Sequence, residues 1–225
     1  MGLIDALRRE MAASANPQKA VGMQAYMKST MPYYGINLPE VRTISRTVFD
    51  GQAMSCNQWR ATILELWRGA RYREERYAAQ FLLTMRRHAD CLTPDDVPML
   101  EELVTTGAWW DHVDELAMVV GDLLRKYPKR IRPVMRRWST DANMWKRRVS
   151  IICQLRFKRD TDLELLYANI EPNLADREFF IRKAIGWALR QYAWTDPKEV
   201  ARYVRTNEAR LSGLSRREAL KNLPR

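Results

Sequence analysis

The feature that most constrains this chain is a recurrence. Glu75, Trp110, Trp145 and Phe180 stand 35 residues apart, each near the same place in a segment with helical apolar spacing. Behind these anchors run Arg76-Tyr77-Ala78-Ala79, Asp111-His112-Val113-Asp114, Lys146-Arg147-Arg148-Val149 and Ile181-Arg182-Lys183-Ala184. A second helical segment falls between each pair. A unit of this length holds two helices and cannot bury its apolar face alone, so successive units must stack. The recurrence therefore predicts an all-α chain of paired helices forming a solenoid with a continuous concave surface. No linker is long enough to divide it, which gives one domain over residues 1–225.

Local signals agree. Apolar periodicity places helices at 3–14, 17–29, 39–49, 57–68, 71–88, 93–106 and 108–126, then at 129–138, 143–157, 161–170, 177–192, 196–206 and 215–222. Asn16-Pro17 caps and opens one helix, and Thr93-Pro94-Asp95-Asp96 opens another. Met31 to Asn37 reads as a loop. No alternating strand pattern competes, and only 9 glycines occur.

Within the recurrence, a few side chains break the rule. Four residues after the anchor, three units carry Ala79, Val149 and Ala184, whereas the fourth carries Asp114. Arg148 and Lys183 stand where the other units have Ala78 and Val113. Trp187 fills a slot held elsewhere by Leu82, Ala117 and Ile152. On its own segment, Asp114 lies one helical turn after Trp110, beside an apolar stripe of Trp109, Val113, Leu116, Val120 and Leu123. Departures from a structural rule are where function is expected. The competing reading is an ordinary ion pair between repeats, Asp114 with Arg148.

Charge narrows the partner. Lys and Arg number 38 against 27 Asp and Glu, a net +11, which suits a polyanion. With 8 Trp and 9 Tyr, nucleic acid is favoured over an acidic membrane surface. No apolar run approaches a membrane span, and Met1-Gly2-Leu3-Ile4-Asp5 lacks a signal-peptide layout; a cytoplasmic protein is expected. Cys56, Cys91 and Cys153 are widely spaced, without a CxxC pair, which argues against a disulfide framework and against zinc. His88 reads as a solvated helix end and His112 as a neighbour rather than a catalyst. No nucleophilic triad, metal site or phosphate-binding loop is visible, so neither metal nor cofactor is expected.

A carboxylate, two indoles and an arginine in a basic groove suit a cationic transition state beside DNA. Cleavage of an N-glycosidic bond passes through an oxocarbenium-like sugar, which a carboxylate stabilises and indole faces attract. A base already cationic from alkylation leaves without protonation, so a second catalytic acid is not required.

Three stretches carry a specific resemblance: Gly107-Ala108-Trp109-Trp110-Asp111-His112-Val113-Asp114, Asn143-Met144-Trp145-Lys146-Arg147-Arg148, and Phe179 through Arg190. Together with Tyr26-Met27-Lys28, Gly35 through Glu40 and Leu214 through Ala219, they resemble the bacterial AlkD-type DNA alkylation repair glycosylases along essentially the whole chain. That resemblance implies a HEAT-like helical-repeat solenoid with a concave basic groove. It also implies removal of N3- and N7-alkylpurines such as 3-methyladenine and 7-methylguanine from double-stranded DNA, in base excision repair. The lesion would stay stacked, unlike the base-flipping route. By the same resemblance, Asp114 is the catalytic carboxylate, Trp110 and Trp187 flank the lesion nucleotide, and Arg148 and Tyr26 contact DNA. Lys28, Arg147, Lys183 and Arg190 join them on the phosphates. A monomer without membrane association is expected. The alternative is a non-catalytic helical-repeat protein that recognises damage without excising it.

Overall fold

The computed structural model describes residues 2–223, so Met1 and residues 224–225 of the expected 1–225 domain lie outside it. The described residues form helices joined by loops and short 3₁₀ turns, with no strand among them. They group into two compact units, Met1–Leu92 and Thr93–Arg225. Among the described residues, no helix is long and apolar enough to cross a membrane.

The first unit contains α1 (Leu3–Ala13), α2 (Pro17–Met27), α3 (Leu38–Asp50), α4 (Cys56–Arg68) and α5 (Arg73–Thr84). Asn16 caps α2 through its side chain, accepting from the Lys19 amide. Helices α1 and α5 both pack on α3, and α4 packs on α5. Leu7, Met11, Val41, Phe49, Trp59 and Ile63 are fully buried between them. The loop before α3 is held from below by a carboxylate. Buried Glu74 accepts from the amides of Tyr34, Gly35 and Ile36 at 3.0, 2.9 and 3.2 Å. Its neighbour Glu75, the repeat anchor, is buried and accepts from Arg8 Nε at 3.0 Å and the Tyr34 hydroxyl at 3.1 Å.

Two expectations fail in this unit. Cys56 and Cys91 form a disulfide. Their separation of 35 residues equals the repeat period, which brings equivalent ends of successive helical units together although no short motif announces it. His88 is not a solvated helix end. Helix α5 stops at Thr84, and the following 3₁₀ turn Arg86–His88 folds the imidazole into the interior beside the Trp59 ring, centroids 6.2 Å apart. Burial first, and the Arg87 charge second, hold it below the usual histidine range.

The second unit shows the repeat most plainly. Its helices are α6 (Val97–Gly107), α7 (Trp110–Lys126), α8 (Pro128–Trp138), α9 (Met144–Ile152), α10 (Leu163–Ile170), α11 (Phe179–Ala193), α12 (Pro197–Thr206) and α13 (Gly213–Leu220). Helices α7, α9 and α11 pack side by side in chain order, α8 lies on α7 and α9, α10 on α8 and α9, and α12 on α11. The stripe Val113, Leu116, Val120 and Leu123 is buried as its spacing requires. The stretch Thr93 to Asp96 opens this helix as expected, with a capping box between Thr93 and Asp96 in the 3₁₀ turn that precedes α6. The expected helix 143–157 ends five residues early, at Ile152. The side chain of Gln154 then accepts from the Asp162 amide and donates to the Asp162 carbonyl, closing a loop that a longer helix would forbid.

Candidate active site

The site residues expected on the second unit come from three adjacent helices. Trp110 is the first residue of α7 and Asp114 lies one turn on; Arg148 is on α9; Phe180 and Trp187 are on α11. Asn143 fixes the start of α9, its side chain accepting from the amides of Trp145 and Lys146. Beneath, Trp109, Trp145 and Phe180 form a cluster, with ring centroids 5.0 to 6.2 Å apart. Two of the recurrent anchors, Trp145 and Phe180, thus pack with Trp109, the residue before the anchor Trp110, and set the three first turns against one another.

Arg148 and Asp114 meet across the α7–α9 contact in a fork. Arg148 Nε donates to Asp114 Oδ1 at 2.7 Å, and its Nη2 donates to Oδ2 at 2.8 Å. The third arm, Nη1, donates to the carbonyl of Phe180 at 2.6 Å, which ties α9 to α11 as well. The guanidinium lies about equally near two rings, 5.9 Å from Phe180 and 6.0 Å from Trp187. The pair is not equally buried: the Arg148 side chain is 6% exposed and that of Asp114 19%. The cation therefore stands behind and the carboxylate in front.

The electrostatics follow from this layering. Burial lifts the Asp114 carboxyl above the ordinary carboxylate value; the hydrogen bonds and charge of Arg148 oppose that, and the neighbouring Asp111 charge adds to it. Each Asp114 oxygen accepts one bond from Arg148, which leaves acceptor capacity directed outward. Adjacent Arg147 turns elsewhere. It donates to the carbonyls of Asp141 and Ala142 and pairs with Asp176 at 2.9 Å. Of the two neighbouring arginines, only Arg148 faces the carboxylate.

The remaining expected contacts are placed apart. Lys183 and Arg190 on α11 share Glu218 of α13, at 3.0 and 2.7 Å. Glu218 is held below its usual range, chiefly by the Lys183 hydrogen bond. Tyr26 and Lys28 belong to the first unit: Tyr26 is 76% exposed on α2, and Lys28 caps that helix in a left-handed conformation, φ 49°. Sequence reasoning missed Phe180's double role as ring and carbonyl acceptor, and Glu218 as the partner of two cations. The Phe180 ring was legible as an anchor, but its carbonyl carries no side-chain signal. His112 is fully buried. Among the described residues, no group of three or more His, Cys, Asp or Glu stands where it would hold a metal ion.

Comparison with known proteins gives two findings. The model of the family described as DNA alkylation repair enzyme matches residues 7–223. Among solved structures, the chain is similar to a protein from Enterococcus faecalis described as a predicted DNA alkylation repair enzyme. The two share 31% identity, the alignment covers 94% of this chain and 97% of that one, and the TM-score is 0.84. No curated protein matches the chain.

Proposed function

The chain belongs to the DNA alkylation repair enzyme family, and from that membership we propose that it is a monofunctional DNA glycosylase. It acts as a monomer, without metal or cofactor, on cationic N3- and N7-alkylated purines in duplex DNA. The observation that carries this reading is the fork between Asp114 and Arg148, which holds a carboxylate at the surface edge of the α7–α9 contact in one fixed orientation.

In the reaction, the C1′–N bond breaks and its electron pair leaves with the cationic base, which departs neutral. Positive charge appears on the sugar at C1′. The Asp114 carboxylate faces that charge and, because Arg148 already fixes its plane, reorganises little as the charge develops. The faces of Trp110 and Trp187 flank the sugar and add cation–π attraction. A water then adds to C1′ and gives its proton to the outward lone pair of Asp114 or to solvent, leaving an abasic site. The lesion stays stacked, as the resemblance to AlkD-type enzymes implies. Arg148 stands beside the lesion behind Asp114 and acts by holding that carboxylate and by adding positive charge to the groove. Arg147, Lys183 and Arg190, with Tyr26 and Lys28 on the first unit, make backbone contacts that carry no sequence information.

The same fork supports a second reading. A carboxylate satisfied by two charge-assisted hydrogen bonds is what a structural ion pair between repeats looks like, and a damage-recognition protein without catalysis would keep it. Release of 7-methylguanine from a duplex by wild type and Asp114→Asn separates the two. Release by wild type and none above background by the variant supports the glycosylase and its carboxylate. Release by both removes Asp114 from the chemistry. Release by neither, with duplex binding intact, leaves the recognition protein.

A further inference from the structure

The cations expected to grip DNA around Asp114 each share their charge with an acid of the protein: Arg147 with Asp176, and Lys183 and Arg190 with Glu218. At the other end of the same three helices the situation reverses. The loop after α9 displays Arg156, Lys158 and Arg159, all exposed. Among the described residues none of the three has a carboxylate partner. Beside them stands Trp194, at the C-terminus of α11, 71% exposed and the largest apolar side chain left open on this unit. These residues, with Arg125 at the end of α7, line one open cleft of about 600 Å³. Asp160 is the one acid lining it, so four cations face a single carboxylate.

The display is built rather than loose. Buried Gln154 straps the loop through both backbone groups of Asp162, at 2.8 and 3.1 Å. Phe157 is buried as its anchor, and the Arg125 guanidinium lies 4.3 Å from the Phe157 ring. Lys158 is held with φ at 54°, a left-handed conformation that a residue with a Cβ seldom adopts.

Helical geometry relates this cleft to the candidate active site. Asp114 and Arg125 are eleven residues apart on α7, which at about 100° per residue returns them to within roughly 20° of one face, about 16 Å apart along the axis. Trp187 and Trp194 are seven apart on α11 and share a face by the same arithmetic. A major groove is about 12 Å wide between its walls. A duplex with one backbone against Asp114 therefore brings its other backbone, across a groove, to the level of the cleft.

We propose that the Arg156–Arg159 loop and Trp194 form a second DNA-backbone site, which holds the strand opposite the one facing Asp114. Arg156, Lys158 and Arg159 take successive phosphates, and the Trp194 indole lies against the deoxyribose between them. This rests on the reading that the protein acts on duplex DNA.

The test compares duplex affinity across a salt series. The site variant carries Arg156→Gln, Lys158→Gln and Arg159→Gln. A control variant carries Lys129→Gln, Arg136→Gln and Arg137→Gln, which removes equal charge from exposed positions of α8. Thermal unfolding confirms that both fold. The site variant is expected to lose affinity at least about tenfold and to show a log–log salt slope shallower by about 2–3, because each lost phosphate contact removes about 0.9. The control is expected to stay within about twofold of wild type. Trp194→Ala is expected to weaken binding with the slope unchanged. Equal losses in both triple variants would reduce the effect to net charge and overturn the proposal, as would an unaltered slope in the site variant or wild type that binds no duplex. Absence of 7-methylguanine release by wild type, with the slope difference intact, would sink the glycosylase and leave this surface standing.

Discussion

Asp114 carries two opposed demands. Burial favours its protonated form, whereas the proposed chemistry uses the carboxylate. Its folded value is raised, so its contribution to stability is present below the ordinary carboxylate range and is lost as pH rises through the raised value. Activity runs the other way. Single-turnover excision is expected to fall, as pH is lowered, with a midpoint above the ordinary carboxylate value; a flat profile down to that value would rule out an ionised Asp114 as the working group. Arg148→Ala removes the fork, leaves Asp114 under burial and the Asp111 charge, and strips the Phe180 carbonyl of a donor. It is expected to destabilise the protein by about 3 kcal/mol or more by denaturant titration and to move the excision midpoint further up. The sequence exposed this pair because a repeat makes exceptions visible: Asp114 stood out against Ala79, Val149 and Ala184, and Arg148 against Ala78 and Val113. It could not say whether they were a site or an ion pair, and in the structure they are one fork. Lys183 and Arg190 looked like free cations because Glu218 lies on α13, outside the recurrence, and spacing alone does not show that it reaches them.

Helices were legible where capping chemistry and apolar period coincide, as at Asn16-Pro17 and Thr93 to Asp96. They were misjudged where tertiary contacts end them, as at Thr84 and Ile152, each followed by a turn whose side chains are claimed by another element. The approach of one helix to the next also depends on residues without side chains. A Cβ on Gly121 would lie 2.1 Å from the carbonyl oxygen of Cys153, so α7 and the end of α9 meet only because that atom is missing. Gly186 does the same for α11 and α13, where a Cβ would stand 2.5 Å from the Cβ of Glu218. Gly121→Ala is expected to cost about 1–3 kcal/mol by chemical denaturation. It is also expected to lower excision, since Gly121 lies two turns after Asp114 and a shift of α7 against α9 opens the fork. Gly186→Ala acts on Glu218 instead, and its expected signature is weaker duplex binding. An unchanged unfolding midpoint in either variant would show that the helices have room to spare.

At the scale of the whole chain, the recurrence that sets helix against helix also places its cysteines. Cys56 and Cys91 are one period apart, and both lie in the first unit. Their bond closes a loop of about 36 residues, and by loop-closure entropy it stabilises that unit by roughly 3–4 kcal/mol. Cys153, in the second unit, is fully buried on α9's C-terminal turn, and burial pushes its thiol up to about 12, so it is a poor nucleophile at neutral pH. Thiol–disulfide chemistry on the native protein is therefore confined to one unit. Mild reduction is expected to lower the unfolding temperature of that unit by about 10 °C or more, while the transition of residues 93–225 stays in place. Calorimetry with and without reductant measures both. Alkylation adds the chemical control: the native oxidised protein is expected to take up no label, and the reduced protein to take it first at Cys56 and Cys91. Prompt labelling of the oxidised protein at either cysteine would mean that the bond does not form. Labelling as expected with no thermal shift would mean that helix packing in the first unit already restricts its unfolded chain as much as the cross-link does.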